Sequence, residues 1–177
     1  MALQRVFSGT PWESAVGYCR ALRVGAQILV SGTAPSDGQG GTVAPGDGYL
    51  QTHRCLAIIE EALEELGASL ADVVRTRMYV TDMDQWESIA KAHQERFGDH
   101  PPASTLVKVA GLINPDMVIE IEAEAYCEPA PEPEPLLEAP AMTRRAMLGR
   151  PIQPSSYPYG STYPPTTAQD LDEGCLD

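Results

Sequence analysis

The sequence predicts an α+β domain: a mixed β-sheet with two helices packed on one of its faces. Three observations lead there. Two segments carry apolar residues at helical spacing, several shorter ones alternate apolar and polar residues with a period of two, and the composition changes abruptly after Cys127. Helices gathered on one face of a mixed sheet is the economical packing for that order of elements.

A first strand is expected near Arg5. Cys19 to Val24 and Ala26 to Ser31 follow as short apolar runs, joined where Arg23, Val24 and Gly25 suit a hairpin and closed by Gly32. Ser36 to Gly48 is rich in Gly, Asp and Pro and reads as a loop. The first helix is expected over about Tyr49 to Leu66. Cys55, Ile59, Ala62 and Leu66 form its apolar stripe, Leu56 and Leu63 widen it, and Glu60, Glu61, Glu64 and Glu65 lie largely off it. Gly67 is the expected stop. Val74, Thr76, Met78 and Val80 alternate with Arg75, Arg77 and Tyr79, the pattern of a half-buried strand.

The second helix is expected to start at Asp82 as N-cap, with Gln85 in the capping-box position. Trp86, Ile89, Ala90, His93 and Phe97 would form its stripe, and Gly98 with Pro101-Pro102 would end it. Ser104 to Val109 and Val118 to Tyr126 are two further strands, joined through a turn at Asn114-Pro115-Asp116.

Of the 177 residues, 43% are hydrophobic and 21% charged, which excludes a wholly disordered chain. A formal net charge of -13 argues against nucleic acid and anionic membrane surfaces as partners. No apolar run approaches the roughly 18 residues of a membrane span. The N-terminus has no basic segment followed by an apolar run, so no secretory signal is expected. Cys19, Cys55, Cys127 and Cys175 include no CxxC pair, and the histidines are not at ligand spacing with them. Neither a disulfide framework nor a metal site is expected, and reduced thiols in a cytoplasmic setting are the default.

The compact domain is placed at 1–127. Residues 128–177 hold 10 of the 16 prolines. Residues 128–140 read as an acidic, Pro-rich linker and 141–177 as a C-terminal tail. Within the tail, Met142, Ala146 and Leu148 oppose Thr143, Arg144 and Arg145 in a short segment that would fold on a partner, and Tyr157, Tyr159 and Tyr163 follow. A tail that docks onto another protein or an enclosing protein shell is one reading; an unstructured solubilising tail is the other.

Chemistry is sought first on the last strand. Glu120, Glu122 and Glu124 alternate with Ile119, Ile121, Ala123 and Ala125, so all three carboxylates share one sheet face. Such a row reads either as a solvated face paired with Arg75, Arg77 and Lys108, or as a cleft wall with one carboxylate acting as acid or base. Tyr18 is a packing aromatic or a cleft phenol, and His93 a core histidine or a base. Cys55 and Cys127 look like small apolar residues without a histidine to activate them. No phosphate loop, GxSxG elbow or HExxH motif is present.

Several motifs then fall in a shared order: Val16-Gly17-Tyr18, Ile28-Leu29-Val30-Ser31-Gly32, Gln51-Thr52, Gly67 to Thr76, Tyr79-Val80-Thr81-Asp82-Met83, Pro102-Ala103-Ser104-Thr105 and Ile119 to Ala123. Over about residues 5–127 this resembles the reactive intermediate deaminase family, RidA or YjgF, also called L-PSP endoribonucleases. The resemblance implies a chorismate-mutase-like fold and a homotrimer whose sheets form a central barrel, with clefts between subunits. It also implies cofactor-free hydrolysis of reactive enamines and imines to ketoacids and ammonia. An arginine would fix the substrate carboxylate and a carboxylate would position the attacking water.

Carried over residue by residue, Tyr18 matches the cleft tyrosine, Ser31 and Gly32 the Ser-Gly strand end, and Glu120 the water-positioning glutamate. Thr105 follows the position where the family arginine is expected, and that position is Ser104. Leu106 stands where the cleft cysteine is expected and Ala90 where the asparagine of the second helix is expected. A serine cannot supply the planar fork of an arginine. Two functional readings follow: a divergent hydrolase of imine-like or related small metabolites using Glu120 and Tyr18, or a small-molecule-binding or interaction trimer recruited through its tail.

Overall fold

The computed structural model describes residues 3–128. The linker from 129 onward and the 141–177 tail, with their proposed partner, lie outside the described residues.

Six strands form one sheet. They are β1 (Leu3–Val6), β2 (Ala21–Val24), β3 (Gln27–Thr33), β4 (Val73–Val80), β5 (Ala103–Lys108) and β6 (Ile119–Tyr126), in the order β1-β2-β3-β6-β4-β5. All neighbours are antiparallel except β4 and β5, which run parallel. That parallel pair needs a crossover, and α3 (Trp86–Phe97) supplies it. The expected mixed sheet is therefore present, with its β2–β3 hairpin turning at Gly25, φ 63°.

The 18-residue helix α2 (Gly48–Glu65) and α3 pack on one sheet face. Cys55, Leu56, Ile59, Ala62 and Leu63 meet Ile28, Val30, Val80, Ile119 and Ile121 there, all fully or nearly fully buried. Each large aliphatic side chain so buried contributes roughly 1.5–3 kcal/mol. Arg23 closes the core at one end. Its guanidinium donates to the carbonyls of Gly25, Leu66 and Cys127, so one side chain ties the hairpin, the end of α2 and the end of β6 together.

Three details differ from expectation. A one-turn helix, α1 (Pro11–Val16), precedes β2 and makes three helices rather than two. Proline at its first turn and Gly17 at φ 84° after its end are ordinary start and stop signals, but six residues show no periodicity. Second, Asp82 caps a 3₁₀ turn at Met83–Gln85 and α3 begins only at Trp86. Gln85 does not close a capping box. Its amide donates to the Asp82 carboxylate and to Gly46 O, and its oxygen accepts from Gly48 N. Third, the buried stripe of α3 is Ile89, Ala92 and Phe97; Trp86 is 52% exposed.

Candidate active site

The site is assembled by the start of β6, the end of β3 and the segment leading into β2. Gln51, fully buried in the first turn of α2, fixes β6 in place. Its amide donates to Ala44 O and Asp116 O, and its oxygen accepts from Val118 N at 2.8 Å. The strand then alternates as expected, with Ile119, Ile121, Ala123 and Ala125 in the core and the three glutamates half-buried on the other face.

The three carboxylates have different surroundings. Arg77 lies across from Glu122 on β4 and meets two of them, with Nη1 2.8 Å from Glu124 and 3.5 Å from Glu122. Arg75 and Lys108 form no ion pair among the described residues. Glu120 has no such partner either. The β3–β6 register slips between Val30 and Thr33, and Gly32 lies in that irregularity. A β-carbon on Gly32 would sit 2.2 Å from Glu120 Oε1, so the absence of a side chain there makes the space that the carboxylate occupies. Burial raises the Glu120 pKa above its ordinary 4.5; Arg20 pulls it back and Glu122 pushes it further up.

Glu120 faces a cavity of about 580 Å³ with Tyr18, Arg20, Ser31, Gly32 and Arg54 in its wall. Trp12 and Val16 of α1, Ile58 of α2 and Ile113 make its apolar part. Glu13 anchors α1 at the rim. Its carboxylate accepts from Ser8 N, Ser8 Oγ and Gly9 N, and these bonds outweigh burial, so its pKa falls. Ser31 Oγ donates to Cys19 O and thereby fastens β3 to the approach of β2. Arg20 donates from Nη2 to Gly32 O at 2.6 Å and lies 5.8 Å from the centre of the Tyr18 ring. Burial lowers its pKa, while Tyr18, Glu13 and Glu120 support its charge.

Four of the six sequence-derived site residues, Tyr18, Ser31, Gly32 and Glu120, thus line one cavity. Ser104 and Thr105 do not line it. They lie on β5, beyond β4 from β6. Ser104 is paired with Thr76, whose hydroxyl donates to Ser104 Oγ at 2.9 Å and meets His93 Nε2 at 3.0 Å. His93 therefore serves a hydrogen-bonded network between helix and sheet, and burial lowers its pKa. Cys55 is fully buried with its pKa raised by desolvation, the behaviour of a packing thiol. The arginines of the cavity, Arg20 and Arg54, escaped the sequence reading.

Residues 10–127 match the family model described as Endoribonuclease L-PSP. The chain belongs to that family, known also as RidA or YjgF. The RutC family protein of Pyrococcus abyssi is 37% identical over 128 residues, which span 72% of this chain and 100% of that protein. The crystal structure of Rv2704 from Mycobacterium tuberculosis, a member of the YjgF/YER057c/UK114 family, is similar at TM-score 0.64 and 44% identity, over 71% of this chain and 99% of that one. E. coli TdcF, solved with bound serine, is similar at TM-score 0.57 and 27% identity, over 62% of this chain and 87% of that one. The mixed sheet with its helices is accordingly the RidA/YjgF fold. No described helix is long and apolar enough to cross a membrane.

Proposed function

We propose that the chain hydrolyses small imines or enamines, with Glu120 positioning the attacking water. The observation that carries this reading is the Glu120 carboxylate over Gly32: half-buried, free of an ion pair among the described residues, and facing a cavity large enough for a small metabolite. A carboxyl group with a raised pKa can both take a proton from water and return one to the departing nitrogen. Water adds to the C=N carbon, its proton passes to Glu120, and the resulting carbinolamine collapses to a carbonyl compound and ammonia. The atoms balance as R₂C=NH + H₂O → R₂C=O + NH₃, and no redox partner is required.

In a homotrimer, the β5 edge of a neighbouring subunit would bring Ser104 and Thr105 to the open side of this cleft. The carboxylate row supports that assembly. Glu120, Glu122 and Glu124 lie on the face the helices leave uncovered, beside Leu29 and Val107, which are 39% and 42% exposed. A net charge of -13 disfavours RNA as the substrate.

The test generates imines in situ with an amino-acid oxidase in the presence of semicarbazide, which traps them. Full-length protein should speed imine decay and lower semicarbazone yield, and Glu120→Gln should abolish the effect. No acceleration with any imine, by protein that is folded and oligomeric, would defeat the reading.

A further inference from the structure

Helix α1 inverts the usual arrangement of a surface helix. Its buried residue is Glu13, whose carboxylate accepts from Ser8 N, Ser8 Oγ and Gly9 N. Its large apolar residues, Trp12 and Val16, are 53% and 70% exposed. Positions i and i+4 share one side of a helix, and both of these side chains line the cavity that Glu120 faces. The β5–β6 connection adds Ile113, 71% exposed, and α2 adds the half-buried Ile58.

The backbone that carries these residues is fastened. Glu13 O accepts from Gly17 N and Tyr18 N at the end of α1. In the β5–β6 connection, Asn114 accepts from Asp116 N on its side chain and from Met117 N on its carbonyl. Asp116 O accepts in turn from Gly46 N and the Gln51 amide. Three elements thus hold four apolar side chains around one cavity. Exposed apolar residues scattered singly need no explanation, but a group of them gathered about a concavity does.

The same cavity contains the Glu120 carboxylate and the Tyr18 and Ser31 hydroxyls. Apolar walls with a few polar groups are the make-up of a small-molecule site. A two- or three-carbon imine on Glu120 would leave most of the 580 Å³ unfilled. The Trp12 indole offers a flat apolar surface, against which an aromatic ring gains more than its area burial alone. Resting on the hydrolytic reading of this cavity, we propose that Trp12, Val16, Ile58 and Ile113 form a subsite for an aromatic ring. The chain then takes aryl-bearing imines or enamines in preference to short aliphatic ones. The ring supplies affinity through burial, and Glu120 acts on the C=N group beside it.

The test measures binding of phenylacetamide and acetamide, two stable uncharged amides that differ by the ring, to the full-length protein by titration calorimetry. Wild type should prefer phenylacetamide at least about tenfold, the factor expected for burying a ring. In Trp86→Phe, Trp12 is the one remaining tryptophan, and its emission should change as phenylacetamide binds. Trp12→Ala, confirmed folded by circular dichroism and melting, should lose the preference. Ile113→Ser should reduce it at least threefold and decides the matter if Trp12→Ala does not fold. Equal affinity for the two amides in wild type, or wild-type preference in folded Trp12→Ala, overturns the proposal. So does phenylacetamide binding that leaves the Trp12 emission unchanged. A variant that alters the particle mass in light scattering but keeps the ring preference also overturns it, by assigning these residues to a second copy of the chain. Trp12-dependent ring binding without hydrolysis of any imine leaves the subsite standing and removes the reaction beneath it. Hydrolysis of the imines of phenylacetaldehyde and acetaldehyde at equal kcat/KM leaves the reaction standing and removes the subsite.

Discussion

The Glu120 carboxylate rests in the space left by the missing side chain of Gly32, where a β-carbon would come within 2.2 Å of Oε1. The atom it would strike is the far end of a flexible side chain and not backbone, and Gly32 does not have a positive φ. Gly32→Ala should therefore fold with a stability change of no more than about 1 kcal/mol, an ordinary value for a substitution that needs only a rotamer shift. Turnover should fall at least tenfold, because the carboxylate is displaced from the water it positions. A Gly32→Ala protein with wild-type kcat would mean that the place of this carboxylate does not matter.

The raised pKa of Glu120 gives a stability slope with a definite sign. Above the ordinary value of 4.5 the unfolded chain gives up its proton first, while the folded chain holds it. Stability from the neutral carboxyl is full below 4.5 and is lost as pH rises through the folded pKa. Glu120→Gln keeps a neutral isostere at all pH values. Its melting temperature should gain on that of wild type as pH rises from 4.5 through the folded pKa. A difference that shrinks as pH rises above 4.5 would show that Glu120 is better solvated than its place implies. Arg20 opposes the rise, so Arg20→Gln should move the acid limb of the pH–rate profile further up.

What could be read from the sequence, and what could not, divides along physical lines. The alternation of Glu120, Glu122 and Glu124 with apolar residues was legible because β6 is regular over its length. So was the Cys55 to Leu66 stripe, because α2 is long and one-sided. Arg20 was not, since it stands in a bend before β2 with no periodicity, and its contact is with a carbonyl twelve residues away. Nor was the inequality of the three glutamates. Pattern alone offers Arg75, Arg77 and Lys108 as partners, but register gives Glu122 and Glu124 to Arg77 and leaves Glu120 opposite Tyr79. Trp86 misled the α3 stripe because it is the first residue of α3, directly after a 3₁₀ turn, and stands exposed there while Ile89 and Phe97 are buried as the spacing predicts.

Self-association should give a particle of about three times the 19.1 kDa chain. The uncovered sheet face holds exposed Leu29 and Val107 beside its charges, and burying them against other copies is favourable. Arg77→Glu adds a negative charge beside Glu122 and Glu124 and should shift the particle toward smaller species, most strongly at low salt. Light scattering reads both. A 19.1 kDa monomer in wild type would remove the inter-subunit cleft while leaving the cavity of the single chain.

Ser104 is exposed on β5, but its hydroxyl accepts from the buried Thr76, so an arginine there should cost that hydrogen bond, about 1 kcal/mol. In a trimer its fork would reach the cleft from the neighbouring subunit and could meet a substrate carboxylate. Ser104→Arg should then lower KM for carboxylate-bearing imines at least tenfold, the factor expected for a gained charge-assisted contact. An unchanged KM, with the trimer intact, would place Ser104 outside the substrate's reach.

The last prediction concerns His93, whose Nε2 meets the buried Thr76 hydroxyl that in turn donates to Ser104. For Thr76 to donate to Ser104 it must accept from His93, so the neutral imidazole carries its proton on Nε2. Burial lowers the His93 pKa below the ordinary 6.5. The unfolded chain therefore takes up a proton first as pH falls. The stability that His93 contributes is complete above 6.5 and is lost as pH drops through the folded value, opposite in sign to the slope at Glu120. His93→Gln retains an N–H donor for Thr76 but does not titrate. The variant should lose the acid-side decline that begins as pH falls below 6.5, while Glu120→Gln leaves that decline in place and removes the neutral-side one. Because His93 does not line the cavity, kcat should change little in His93→Gln at pH 7. A large fall in kcat with stability unchanged would instead connect the Ser104–Thr76–His93 chain to proton transfer in the cleft.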